Sequence, residues 1–153
     1  MTLHKLSITD AVDNQTFRDR INALTPTSRA EWGKMNVAQM LAHCQVPLKV
    51  ALGDIQPQSS FLFKMLGRLL KGSVLRRPEF RRNSPTFPEA VIADERDFVR
   101  EREQLLALVE RFSNGGKAVF TQKAHPFFGT MTPDEWNTLQ SKHLDHHLRQ
   151  FGV

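Results

Sequence analysis

The residues best suited to chemistry gather near the carboxyl end of the chain. In Lys142-His143-Leu144-Asp145-His146-His147-Leu148-Arg149-Gln150, His143 and His147 stand four residues apart. On a helix that spacing stacks two imidazoles on one face, one turn above the other, so both rings can converge on a single ion. Trp136, Gln140 and Gln150 fall on the same stripe and are expected to wall a polar pocket beside the pair, whereas His146 falls about a quarter-turn or more away. Two helical histidines fit a hydrogen-bonded surface pair equally well, so a metal site needs a third ligand. His43 is the best candidate. It lies in an otherwise apolar segment between Met40 and Val46, where a buried imidazole requires a partner. The plainer alternative is a core histidine bonded to a carbonyl or an amide.

Three neutral imidazoles, with nitrogens roughly 2.0–2.1 Å from a zinc-like ion, leave a coordination position for water or substrate. Such an ion can act as a Lewis acid, bringing the pKa of a bound water near 7 or holding a thiolate. Zinc, nickel, iron and manganese all accept imidazole, so the ligand type does not name the metal. Cys44 is the sole cysteine, which excludes an intrachain disulfide, a Cys-rich zinc module and a paired-thiol redox motif. It follows His43 directly, and adjacent helical side chains point about 100° apart, so it is expected to be a small buried hydrophobe rather than a fourth ligand.

The elements that must hold these residues are helices. Phe17, Ile21 and Leu24 predict a short amphipathic helix over about Asn14 to Leu24, ended by Thr25-Pro26-Thr27. A second runs from an Asn36 cap through Val37, Met40, Leu41, Cys44 and Leu48 to Gly53, with a kink expected at His43 because Pro47 has no amide hydrogen to offer that carbonyl. Phe61 to Leu75 reads as a helix with Leu62, Met65, Leu66, Leu69 and Leu70 facing the core and Lys64, Arg68 and Lys71 facing solvent. Residues 76–92, with three prolines, read as an extended connector. Asp94 to Phe112 is the clearest long helix, burying Phe98, Val99, Leu105, Leu106, Val109 and Phe112 before Asn114-Gly115-Gly116 stops it. Ala118 to Gln122 reads as a short extended piece, and Thr132-Pro133-Asp134-Glu135 opens the last helix with a capping box and an N1 proline. Together they predict an all-α fold, a helical bundle with short accessory pieces, in one domain over residues 1–153.

The formal charge of +5 and pI near 9.8 are concentrated. Lys64, Arg68, Lys71, Arg76, Arg77, Arg81 and Arg82 face a single acid, Glu79. A non-catalytic protein could use this 64–82 stretch to bind nucleic acid, an acidic partner or an anionic membrane. No aromatic stacking platform or reader motif accompanies it, so nucleic acid and membrane are the less favoured partners. The first residues have no apolar secretory core, and the longest apolar run, Leu105 to Val109, is too short to cross a bilayer, which makes a cytoplasmic protein the default expectation.

Met40-Leu41-Ala42-His43, together with His143-x-x-x-His147-x-x-Gln150, resembles the DinB/YfiT-like superfamily of metalloenzymes, named for a protein distinct from the DNA polymerase. Two further stretches, Trp32-Gly33-Lys34-Met35 and His125-Pro126-Phe127-Phe128-Gly129, are similar to an uncharacterised branch of it. The resemblance covers about Arg29 to Phe151. It implies a four-helix bundle, a metal held by His43, His143 and His147, a matching Gln150, and homodimers. His125 belongs to the branch motif and is a candidate for the layer behind the ligands. Activities in the superfamily include S-transfer with low-molecular-weight thiols, maleylpyruvate isomerisation and hydrolase-like reactions, and fold analogy does not choose among them.

Overall fold

A computed structural model describes residues 5–153, and among them the secondary structure is helical with no strand. Five α-helices occur: α1 (Ala11–Ala23), α2 (Val37–Leu52), α3 (Phe61–Arg76), α4 (Phe98–Gly115) and α5 (Pro133–Gln150), with 3-10 turns at Pro88–Ala90 and Gly116–Val119. The caps follow local chemistry. Asn36 and Thr132 each form a full capping box, with Gln39 and Glu135 respectively, and Gly53 closes α2 in the left-handed region at φ 78°.

One core is shared by α1, α2, α4 and α5: α4 packs on both α1 and α2, and α5 packs on the same two helices. Phe17 and Ile21 of α1, Met40, Leu41 and Leu48 of α2, Leu105, Val109 and Phe112 of α4, and Leu144 and Leu148 of α5 are all sealed inside. Buried side-chain bonds set the helices against one another. Asn14 Nδ2 donates to the carbonyls of Ile8 (2.6 Å) and Val109 (2.8 Å), and Gln45 Nε2 donates to Glu101 Oε2 (2.7 Å). Each bond satisfies polar atoms that would otherwise cost free energy in an apolar interior.

Three expectations are corrected. Val99 is about half exposed (49%), because it lies on the solvent side of the first turn of α4. Residues 116–119 coil into a 3-10 turn, and the nearest pairing is an isolated bridge between His125 and Gly129 rather than an extended piece at 118–122. The largest difference is α3. Its only buried residue is Gly67, and the leucines expected in the core point outward. Two of its cations tie it to the body: Lys71 Nζ reaches Glu135 Oε2 (2.8 Å) and the carbonyl of Thr130 (2.7 Å), and the Arg68 side chain, though exposed, passes close to Gly129. The helix α2 runs on through Pro47 to Leu52. No helix among the described residues is long and apolar enough to cross a membrane.

Candidate metal centre

The i, i+4 spacing on α5 turns His143 and His147 to the same side, where α2 crosses and delivers His43. Ring centroids are 4.6 Å apart for His143–His147, 4.6 Å for His43–His147 and 5.1 Å for His43–His143. One ligand atom from each lies within 4.8 Å of the others. The closest contact, His43 Nε2 to His143 Nε2, is 3.2 Å. Two nitrogens about 2.1 Å from one tetrahedral ion stand roughly 3.4 Å apart, so that pair has close to the bite a metal requires.

Hydrogen bonds determine where the protons sit. The Ala90 carbonyl can only accept, so His43 Nδ1–H donates to it (2.7 Å), leaving the Nε2 lone pair on the triad side. Gln150 Nε2 donates to the Trp32 carbonyl (2.6 Å), which places the amide oxygen toward His147 and makes His147 Nδ1–H the donor to it (2.7 Å). Two of the three rings are thus presented in the tautomer that ligates through Nε2, each oriented from behind as metal-bound histidines generally are. Gly33 makes this possible. At φ 85°, with Gln150 Nε2 only 2.6 Å from where a Cβ would stand, a side chain here would be strained and would push the Gln150 amide aside.

The electrostatics point the same way. Burial depresses the basicity of all three rings, taking His147 to about 3. His43 is also lowered by burial, against the opposing pull of its Ala90 bond. His143 falls well below the usual histidine range, first by burial and then by the neighbouring His147, His43 and His146. At neutral pH the three are uncharged imidazoles, the form that coordinates a cation.

The chain belongs to the family described as protein of unknown function, DUF1569. The match spans residues 2–152, and so takes in all three histidines, Gln150 and the His125–Gly129 turn. Comparison with curated proteins and with solved structures returned no match.

The other candidate residues of this DUF1569 chain are distributed around the triad. Gln150 (3% exposed) is the link between His147 and Trp32. Trp136 (1% exposed) lies in the core, its ring 5.2 Å from His125 and 6.5 Å from Phe120. Gln140 is as deeply buried, and neither its amide oxygen and nitrogen nor Trp136 Nε1 has a hydrogen-bond partner among the described residues. His125 organises its own turn: Nδ1 accepts from the Phe127 and Phe128 amides at 3.0 Å each, and burial lowers its pKa to about 4. No hydrogen bond joins His125 to the three histidines among the described residues. His146 sits in an aromatic nest with Trp32, Phe80 and His147, and Asp145 is spent on Arg20 (2.8 Å) and Arg149 (3.0 Å). Cys44 is buried with its thiol pushed up in pKa, in keeping with a small hydrophobe.

Sequence reasoning missed three contributors. The carbonyls of Ala90 and Trp32 orient the ligands through backbone atoms, which residue identity does not advertise. Phe80, in the connector, sets its ring edge-on to His143 at 6.1 Å and carries the Lys142 ammonium at 4.8 Å. Only Trp32-Gly33 offered a signal, a glycine where close backbone approach was needed.

Proposed function

We propose that this protein is a divalent-metal-dependent enzyme of the DinB/YfiT-like type, in which His43, His143 and His147 hold one zinc, nickel or iron ion beside a small-molecule substrate. The single observation that carries the reading is the pair of outward-facing hydrogen bonds. His43 Nδ1–H to Ala90 and His147 Nδ1–H to Gln150 both commit the rings to ligation from Nε2, toward one another and toward His143. The shared core of α1, α2, α4 and α5 is consistent with the four-helix bundle that the resemblance implies.

When bound, the ion supplies Lewis acidity, lowering the pKa of a water or a low-molecular-weight thiol that shares it. The chain does the rest by position. Gln150 and Ala90 hold two ligand rings in orientation, and Phe80 covers an edge of His143. Gln140 and Trp136 Nε1 are buried without a hydrogen-bond partner among the described residues and line the core behind the site rather than an open pocket. S-transfer or hydrolysis is the reaction class this arrangement suits.

The test is metal content per chain by mass spectrometry, on protein purified without a metal-affinity tag and re-exposed to zinc, nickel or iron. Near one ion per wild-type chain is expected, with little in folded His43→Ala, His143→Ala or His147→Ala. Variants that keep full metal, or wild type that takes up none, would overturn the reading. Loaded protein then goes to thiol-transfer and hydrolysis screens.

A further inference from the structure

The cleft between the first half of α3 and the His125–Gly129 turn contains none of the three histidines, and it is arranged for negative charge. It encloses about 180 Å³. Its lining includes the buried Pro57, Pro126 and Gly129, with Lys64 and Arg68 exposed at the rim. Gln56 closes one wall by donating from Nε2 to the Ala124 carbonyl (3.0 Å). None of the residues lining the cleft is acidic. Among the described residues, Lys71 is the cation of α3 that has an acid partner, and it lies outside the cleft. Like charges at i, i+4 on one helix repel, so holding Lys64 beside Arg68 with no acid between them is unfavourable until an anion arrives. Gly129 leaves room for the arginine. It stands at φ 73°, and Arg68 Nε and Cγ come within 3.1 and 3.4 Å of where a Cβ would be, so the Arg68 stem is laid along the turn. A guanidinium whose stem is already packed loses less freedom on binding.

Exposed cations alone are ordinarily solvated, and what points to a ligand is the buried donor beside them. His125 is 6% exposed and lines the same cleft. Its Nδ1 accepts from the amides of Phe127 and Phe128, and an amide N–H can only donate, so the ring proton sits on Nε2. Burial lowers the pKa of this ring and keeps it neutral at neutral pH. The Nε2–H has no acceptor among the described residues, although buried donors are nearly always bonded. We infer that this cleft binds the phosphate group of a small phosphate monoester, with Arg68 and Lys64 meeting two of its oxygens and His125 Nε2–H donating to a third. Two unpaired cations match a dianion. A phosphate monoester carries about −1.5 to −2 at neutral pH and offers three strong acceptor oxygens, whereas a carboxylate or a phosphodiester carries a single charge.

Isothermal titration calorimetry on the full chain tests this, with inorganic phosphate, glycerol phosphate, dimethyl phosphate and acetate as separate titrants at constant ionic strength. The first two are expected to bind at one site per chain and the last two not to bind, with the same result before and after chelator treatment. Lys64→Gln/Arg68→Gln should weaken phosphate binding about tenfold or more, because charge-assisted hydrogen bonds are lost. Both positions are exposed, so the variant is expected to fold. Arg76→Gln, in the same basic stretch but outside the cleft, should leave the affinity unchanged. In nitrogen-resolved NMR spectra of wild type, phosphate should shift His125 Nε2 and raise the pKa of the ring, since a neighbouring anion favours its charged form. A ring buried for packing alone would not respond. No binding of either phosphate, equal binding of acetate or dimethyl phosphate, an equal loss in Arg76→Gln, or an unmoved His125 Nε2 would each overturn the inference.

Discussion

The helices α3 and α5 both mix apolar and charged residues at helical spacing, yet they are used in opposite ways. In α5 ten residues are buried, among them Gln140, Ser141, Lys142, His146, His147 and Gln150; in α3 only Gly67 is. The polar interior of α5 is tolerated because most of it is satisfied: His147 by Gln150, Gln150 by Trp32, Ser141 by the Ile8 amide, and Lys142 by the carbonyls at the end of α3. The apolar exterior of α3 is covered by nothing among the described residues. An amphipathic pattern says that a helix has two faces, and what each face meets is decided by its neighbours.

The sharpest way to separate the two regions is Gly67→Ala. A Cβ there would stand against the backbone carbonyl of Phe127, which cannot rotate away, so α3 must shift at a cost of about 3 kcal/mol in thermal or urea unfolding. Metal uptake by the α2–α5 site should survive in the folded fraction. If Gly67→Ala abolished uptake, the two regions would be one unit.

His125 sits on the turn that α3 presses against, and it makes the contrast pH-dependent. Its folded pKa of about 4 lies below the unfolded value of about 6.5, so the unfolded chain takes up a proton first as pH falls. Stability from this ring is complete above about pH 6.5 and is lost progressively as pH falls through 4, on the order of 3 kcal/mol in all. Urea unfolding of wild type and His125→Gln at pH 7.5 and pH 4 isolates it, since the triad histidines contribute equally to both chains. Equal losses in the two proteins would count against the assignment.

On the α5 side, Gln150→Leu removes the acceptor of His147 Nδ1–H and leaves the Trp32 carbonyl without its donor. Metal affinity by competition with a chelator is expected to fall about 10–100-fold, with the protein still folded. An unchanged affinity would mean that the ring needs no support from behind. The smallest effect is expected from Gln140→Met. Both amide atoms are buried and have no partner among the described residues, so replacing them with an apolar chain of similar volume should leave the melting temperature unchanged or raise it, within about 1 kcal/mol. A clear loss of stability would show that Gln140 holds a partner, such as a buried water, within the core.

Much of the candidate site was legible from residue types alone. His143 and His147 share a face because 3.6 residues per turn requires it, and Asn36, Gly53 and Thr132 mark helix ends because their side chains, or the lack of one, satisfy terminal backbone groups. Phe17, Ile21, Val109 and Phe112 were recognisable as core by period. Val99 and the leucines of α3 were not, because periodicity identifies an apolar face without saying which surface covers it. Thus the sequence by itself determined the helices, their caps and the pairing of two histidines on one of them, all consequences of short-range geometry. Only the tertiary structure decided that α2 brings His43 within 3.2 Å of His143, that Ala90 and Trp32 supply the orienting carbonyls, and that α3 turns its apolar side outward. Those outcomes depend on how distant segments cross, and on backbone atoms that every residue carries alike.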